Sequence, residues 1–337
     1  MVGGGDSGFR LALPWLAAPL AAAVAQPGHA LLLVAPPGLG ALDFQLTLAQ
    51  AWLCEGSVVA GLPCGRCASC HFVQAHTHPD LKRLLPGVLA LERGWATEDE
   101  VTDGGRHKPR KWIPIDEARA ALAWLAMTRS RNRGKVVLLH PAEALLPAAA
   151  NALLKALEEP PAGVRWVLSC SDPERLLPTV RSRCQRLVLA PPTAAEGAAW
   201  LTGQGVDAPE ALLAACAGRP LDALALHRAG VNAAAWAALP AALARGEAGA
   251  WSGWPLPRAI DALHKLCHDL LVHATGAAPR YFPAASLPTP RGGVGPLLDW
   301  AAELNRVARQ AEHPWSEALL LEALVSRGRS ALATLRR

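Results

Sequence analysis

Two kinds of apolar pattern alternate along the first 190 residues. Short uninterrupted apolar runs, "HALLLVA" (29–35), "GKVVLLHPAEAL" (134–145), "VRWVLSCSD" (164–172) and "QRLVLAPP" (185–192), predict strands buried on both faces, as in a parallel sheet. Between them, "ALDFQLTLAQAWLC" (41–54) and "PAAANALLKALEE" (147–159) repeat their apolar positions every three or four residues, and Pro160 and Pro161 stop the second helix. Alternating strands and helices imply an α/β domain. From Thr193 the strand pattern ceases. "PTAAEGAAWLTGQG" and "PEALLAACAGRPLDALALHRAG" read as short helices, and "GPLLDWAAELNRVARQAEHPWSEALLLEALVSRGRSAL" supplies two longer amphipathic ones. The expected organisation is an α/β domain over 1–192, a small helical unit over 193–238 and an all-α region over 239–337, with loops at 246–257 and 276–296. There is no internal repeat, and the charged segment 92–112 is expected to be a surface loop.

Composition narrows the class without naming a function. Of 337 residues, 51% are hydrophobic and 18% charged, so a packed globular chain is expected. The net charge of +5 permits contact with nucleic acid but does not argue for it. "LALPWLAAPLAAAVAQ" after Arg10 imitates a signal peptide, yet Asp6 offsets its one arginine and Pro14, Trp15 and Pro19 interrupt the apolar run. A first helix packed on the core is the expectation, with no membrane span and a cytoplasmic location.

Four of the eight cysteines fall within seventeen residues as Cys54, Cys64, Cys67 and Cys70. Two C-x-x-C steps sharing Cys67 place three thiolates on one turn, and Cys54, ending the preceding helix, can complete a tetrahedron. An all-sulfur four-coordinate zinc has no open position, so a structural Zn2+ is expected. His71, His76 and His78 lie nearby and are expected to be solvated loop residues.

"LLLVAPPGLGALDF" (31–44) leads a strand into a turn shaped like a phosphate-binding loop. Ala35 stands at its first glycine, Gly38 and Gly40 keep the turn, and Ala41 and Leu42 occupy the positions of the lysine and the hydroxyl residue. The strand that should end in an acidic residue ends in His140, leaving Glu143 as the nearby carboxylate, and magnesium prefers oxygen to imidazole. Three phosphate- and magnesium-binding groups are therefore missing from a recognisable frame. In "PTVRSRCQRLVL" (178–189), an arginine can be an ion-pair partner, a surface cation or a group reaching a neighbour's phosphate. "TRSRNRGK" (128–135) carries Arg129, Arg131, Arg133 and Lys135 on an expected connecting loop, either solvated or touching a DNA backbone.

Together, Ser182–Arg183–Cys184, "NALLKALEEPP" (151–161), the loop frame at 35–42 and the four-cysteine module resemble bacterial clamp-loader subunits of the AAA+ class, over nearly the whole chain. The resemblance implies an AAA+ α/β domain, a helical lid over 193–238 and a helical collar over 239–337. It implies a subunit of the DNA polymerase III clamp loader that does not hydrolyse ATP and needs no ATP or Mg2+ of its own. Its partners would be gamma/tau and delta subunits in a heteropentamer, the sliding clamp, and primer–template DNA within the assembly. Arg183, flanked by Ser182 and Cys184, would then act in trans on ATP held by the adjacent subunit. Leu221 stands where the family's lid arginine is usual. An active ATPase with an atypical loop, or a zinc-stabilised DNA-binding protein working alone, are the competing readings.

Overall fold

The computed structural model describes residues 2–3, 10–102, 108–289, 293–309 and 316–333, so 103–107 of the charged 92–112 segment lie outside the described residues. The chain forms two compact units, 1–191 and 192–337.

In the first unit, two-residue strands β1 (Val2–Gly3) and β2 (Arg10–Leu11) pair antiparallel. The main sheet holds β3 (Ala30–Val34), β4 (Leu81–Leu84), β5 (Lys135–Leu139), β6 (Val164–Cys170) and β7 (Gln185–Val188). All are parallel, in the order β4-β5-β6-β3-β7. β3 and β5 are buried along their full length, which is why their sequences show no polar alternation. Alternate residues serve opposite faces. Leu32, Val34, Val137, Leu139, Trp166 and Leu168 share one core with Ala121 and Leu125 of α6 (Ile115–Ala126) and Leu153 and Leu157 of α7 (Pro147–Glu158). α1 (Ala17–Ala25) packs on α2 (Ala41–Leu53), which lies against β5 and β6. The first helix is therefore a core element, with Leu16, Leu20 and Ala23 almost fully buried.

β4 was not foreseen. "LKRL" is short, half-buried and charged, as edge strands commonly are, and it shows neither an apolar run nor clean alternation. The 92–112 segment is also not all loop. α4 (Gly87–Glu92) precedes it, and α5 (Glu98–Val101) forms one turn inside it, started by a capping box between Thr97 and Glu100. Of the remaining first-unit helices, α3 (Ala68–Gln74) carries Cys70 and is capped by Cys67, and α8 (Pro178–Arg181) leads into the SRC segment.

The second unit is helical: α9 (Ala194–Gly203), α10 (Pro209–Ala215), α11 (Pro220–Arg228), α12 (Ala233–Arg245), α13 (Leu256–Ala274), α14 (Gly295–Ala308) and α15 (Glu317–Ala333). Leu263, Leu266, Trp300 and Leu324 are buried in it. Buried Asp269 accepts the amides of Arg280, Tyr281 and Phe282 and so fixes the turn after α13. Among the described residues no helix is long and apolar enough to cross a membrane.

Candidate functional site

The phosphate-loop frame sits at the carboxyl end of β3, an interior strand between β6 and β7, and open α/β sheets place their ligands at the carboxyl ends of strands. Gly38 and Gly40 take φ of 78° and 87°, and Gly40 caps the start of α2. A Cβ on Gly40 would strike Leu13 Cδ1, and Trp15 Nε1 donates to Leu39 O at 2.9 Å. The N-terminal segment therefore closes over the turn. Leu42, at the hydroxyl position, is 3% exposed and belongs to the core, while Ala41 is half-buried. The loop keeps its backbone shape because its leucines pack inward, without any of the side chains that hold phosphate.

The acidic position is likewise taken up internally. Gln45 Nε2 donates to Leu139 O and Val167 O, each at 3.0 Å, and its Oε1 accepts from Ser169 Oγ at 3.1 Å. With its hydrogen committed, Ser169 Oγ accepts from His140 Nδ1 at 2.5 Å. Burial, reinforced by the Arg93 charge, holds the His140 imidazole down to about 4, so it is neutral near pH 7. Glu143 Oε1 accepts from the Ser171 amide at 2.5 Å, the Ser171 hydroxyl at 2.7 Å and the Asp172 amide at 3.0 Å. Burial works against its ionisation, but the bonds from Asp172 and Ser171 keep it below the usual carboxylate range. Glu143 ties the turn after β6 to the segment after β5. Asp43, in the first turn of α2, is pushed up by burial despite the Arg93 charge.

The SRC segment follows α8. Arg183 Nε and Nη2 both donate to Glu158 Oε2, at 2.9 and 2.6 Å, and Nη1 donates to Thr179 O at 2.9 Å. Glu158 ends α7 and is 55% exposed, against 27% for the arginine. In the chain by itself the arginine is therefore in a surface ion pair, folded onto its own chain rather than facing the core. Glu158 lies within the "ALEEPP" stretch, but nothing there distinguishes it from Glu159 as the partner. Ser182 Oγ donates to Thr179 O at 3.2 Å, and Cys184 packs against the core, where burial pushes its thiol up to about 12. Cys184 is a packing residue, not a nucleophile.

The four cysteines do converge. Their sulfurs all lie within 4.8 Å of one another, and Cys64 Sγ and Cys70 Sγ are 3.9 Å apart. Zinc–sulfur bonds of about 2.3 Å in a tetrahedron set sulfurs about 3.8 Å apart, so the set fits one zinc ion. The Cys64 amide faces Cys54 Sγ at 3.3 Å and the Cys70 amide faces Cys67 Sγ at 3.4 Å; each bond favours the thiolate, although at Cys54 burial outweighs it and pushes the thiol up. Burial opposes ionisation of Cys67, but the amides of Cys70 and Glu55 hold it down to about 6. Gly56 is required here, because a Cβ on it would come within 2.8 Å of Cys64 Sγ.

Of the neighbouring histidines, His71 and His76 are exposed as expected, whereas His78 is 5% exposed and therefore not a solvated loop residue. Its Nε2 bonds Ser69 Oγ at 2.7 Å and its Nδ1 accepts the Asp80 amide at 3.0 Å.

The basic run is also less available than its sequence suggests. Lys135 is 5% exposed, donating to Trp124 O at 2.6 Å and Met127 O at 2.5 Å, so it is a structural cation at the base of β5. Arg131 forms a two-pronged pair with Glu55, at 2.6 and 2.8 Å. Arg129 and Arg133 are exposed. In the second unit Leu221 is half-buried on α11, and Arg219, two residues earlier, pairs with Asp222 at 2.5 Å.

A family model described as "DNA polymerase III, delta subunit" matches residues 20–193. The chain is similar to the DNA polymerase III subunit delta' of Pseudomonas aeruginosa, 38% identical over 216 residues, covering 62% of this chain and 58% of that protein. It is similar to the subunit delta' of Escherichia coli, 34% identical over 255 residues and 70% of each chain. It also matches the DNA polymerase III subunit tau of Salmonella typhimurium, 31% identical over 156 residues, 46% of this chain and 21% of that protein. The chain spans 58% and 70% of the two delta' relatives' lengths.

Proposed function

The chain belongs to the DNA polymerase III delta-subunit family, with delta' subunits among its relatives, and on that premise we propose that it is the delta' subunit of a clamp loader that completes a neighbour's ATP site rather than using one of its own. The observation that carries this reading is the phosphate loop. Its lysine and hydroxyl positions are Ala41 and Leu42, Leu42 is core, the opposing His140 is neutral and bonded to Ser169, and Glu143 holds the Ser171 turn through Oε1. The loop thus lacks the lysine that would neutralise β- and γ-phosphates and the hydroxyl that would ligate Mg2+.

In this reading Arg183 faces ATP bound by an adjacent gamma or tau subunit, with Ser182 and Cys184 shaping its segment. Its guanidinium is held by an exposed ion pair, and such pairs are weak enough for a phosphate to displace the carboxylate. Residues 193–238 act as the lid and 239–337 as the collar that joins the subunits. Cys54, Cys64, Cys67 and Cys70 hold a structural zinc, whose chemistry is to tie four thiolates into one closed tetrahedron. Arg129 and Arg133 are the members of the basic run that remain exposed for primer–template DNA inside the assembly. Thiol ligation of zinc suits a reducing, cytoplasmic location.

Two measurements test the proposal. The isolated chain should bind no ATP in the presence of Mg2+; robust binding returns it to the active ATPases. In the reconstituted assembly, Arg183→Ala should leave the ring intact and lower DNA-stimulated ATP hydrolysis at the adjacent subunit's site by about a hundredfold or more. Unchanged turnover removes the role of Arg183 in trans.

A further inference from the structure

The cysteine cluster and the basic loop are far apart in sequence, yet two separate chains of hydrogen bonds join them, and both end on Arg131. The first runs through side chains. Glu55 follows Cys54 directly, its amide faces Cys67 Sγ, and its carboxylate takes both prongs of the Arg131 guanidinium at 2.6 and 2.8 Å. The same guanidinium lies 5.4 Å over the ring of Phe72, on the helix that carries Cys70.

The second runs through buried polar groups to the loop's backbone. Ser69, between Cys67 and Cys70 in the chain, donates to Leu53 O at 2.7 Å, so its oxygen accepts from His78 Nε2 at 2.7 Å. His78 Nδ1 then accepts the Asp80 amide at 3.0 Å. Asp80, with no exposed surface, divides its carboxylate between the Ser130 and Arg131 amides, each at 2.8 Å. Each member is satisfied in one consistent proton arrangement, so the series transmits position.

We propose that the metal module is the mount of the 128–133 loop: zinc bound by the four cysteines fixes Glu55 and Ser69, and these fix Arg131 by its side chain and by its amide. The consequence is that the two outward arginines, Arg129 and Arg133, are presented in one geometry only while the module is metallated. Loss of zinc, or oxidation of its thiolates, loosens a basic surface that carries no cysteine of its own.

The loop's three arginines make it readable by trypsin, because cleavage requires local opening of the backbone. The full-length chain is digested under native conditions, zinc-loaded and after chelation, and cleavage after Arg129, Arg131 and Arg133 is compared with cleavage after Arg228 and Arg245 in the second unit. Chelation should accelerate the loop cuts by about tenfold or more and leave the two reference cuts unchanged. Because chelation can unfold the module as a whole, Glu55→Gln supplies the second arm. That variant keeps all four cysteines, should retain one zinc per chain, and should still show the loop cuts accelerated severalfold. Loop cleavage that is equal with and without zinc, or unaltered in zinc-loaded Glu55→Gln, overturns the proposal.

Discussion

The two ends of α2 (Ala41–Leu53) both have a backbone arrangement suited to a charged ligand, and they differ in the side chains they bring to it. At its N-terminus the backbone has the shape of a phosphate loop, with Gly40 in the left-handed region and the interior strand β3 leading in. Apolar packing of Leu13, Leu39 and Leu42 now maintains that shape, and no cation or hydroxyl projects from it. At its C-terminus Cys54 opens a set of four sulfurs close enough for one metal ion, with amides aimed at two of them. A frame and its ligating groups are held by different forces. Sterics and burial keep the first without the second, whereas a thiolate cluster has little apolar core of its own and depends on what it binds.

Removing the ligand should therefore break one end and not the other. Cys70→Ala, or complete chelation, is expected to lower the melting temperature by roughly 10 °C and to expose 54–74 to exchange, because structural zinc supplies folding energy directly. Hydrogen exchange should leave β3 and the start of α2 protected. An equal loss of protection at both ends would show that the two are one cooperative unit.

The next test concerns His140. Its folded value of about 4 lies below the ordinary 6.5, so the unfolded chain takes up a proton first as the pH falls. The neutral imidazole's contribution is complete above pH 6.5 and is lost between 6.5 and 4, amounting to about 3 kcal/mol. His140→Gln should lack that component, which is read as the difference between the two denaturation profiles over this range. Parallel profiles would mean that the Gln45–Ser169–His140 series does not exclude the charged form.

Smaller again is the steric term at the loop. Gly40→Ala introduces a Cβ at φ 87° against Leu13 and should destabilise the chain by about 1–3 kcal/mol, measured by urea titration, with zinc content unchanged. The smallest effect belongs to the arginine's holder. Glu158→Gln should alter stability by no more than about 0.5 kcal/mol, since its pair with Arg183 is largely exposed. On the proposed role of Arg183 in trans, the same change in the assembled loader should raise ATP turnover as the guanidinium is released; a fall would make Glu158 a positioner rather than a competitor.

Much of the architecture was legible because it depends on near neighbours. Continuous apolar runs marked four of the five main strands, and β4 escaped because its alternating charges satisfy an edge rather than a core. Cysteine spacing identified the metal set, since two C-x-x-C steps force a shared turn. Beyond β4 and the helical turn α5 inside the expected 92–112 loop, the expectations that needed revision concerned side-chain surroundings. His78 and Lys135 looked like solvated groups and are buried, each with its polar atoms satisfied by bonds to distant segments.

Sequence by itself determined what is absent from the phosphate loop and what is present among the cysteines, because residue identity at fixed short spacing decides both. Only the tertiary structure decided which partners the charged groups take. Arg183 meets Glu158 across 25 positions, Asp80 meets Arg131 across 51 and Gln45 meets Ser169 across 124, distances over which no periodicity or local propensity carries information. Those pairings exist because a parallel sheet brings remote strand ends to one edge, and a buried polar group must then find its partner among whatever the fold sets beside it.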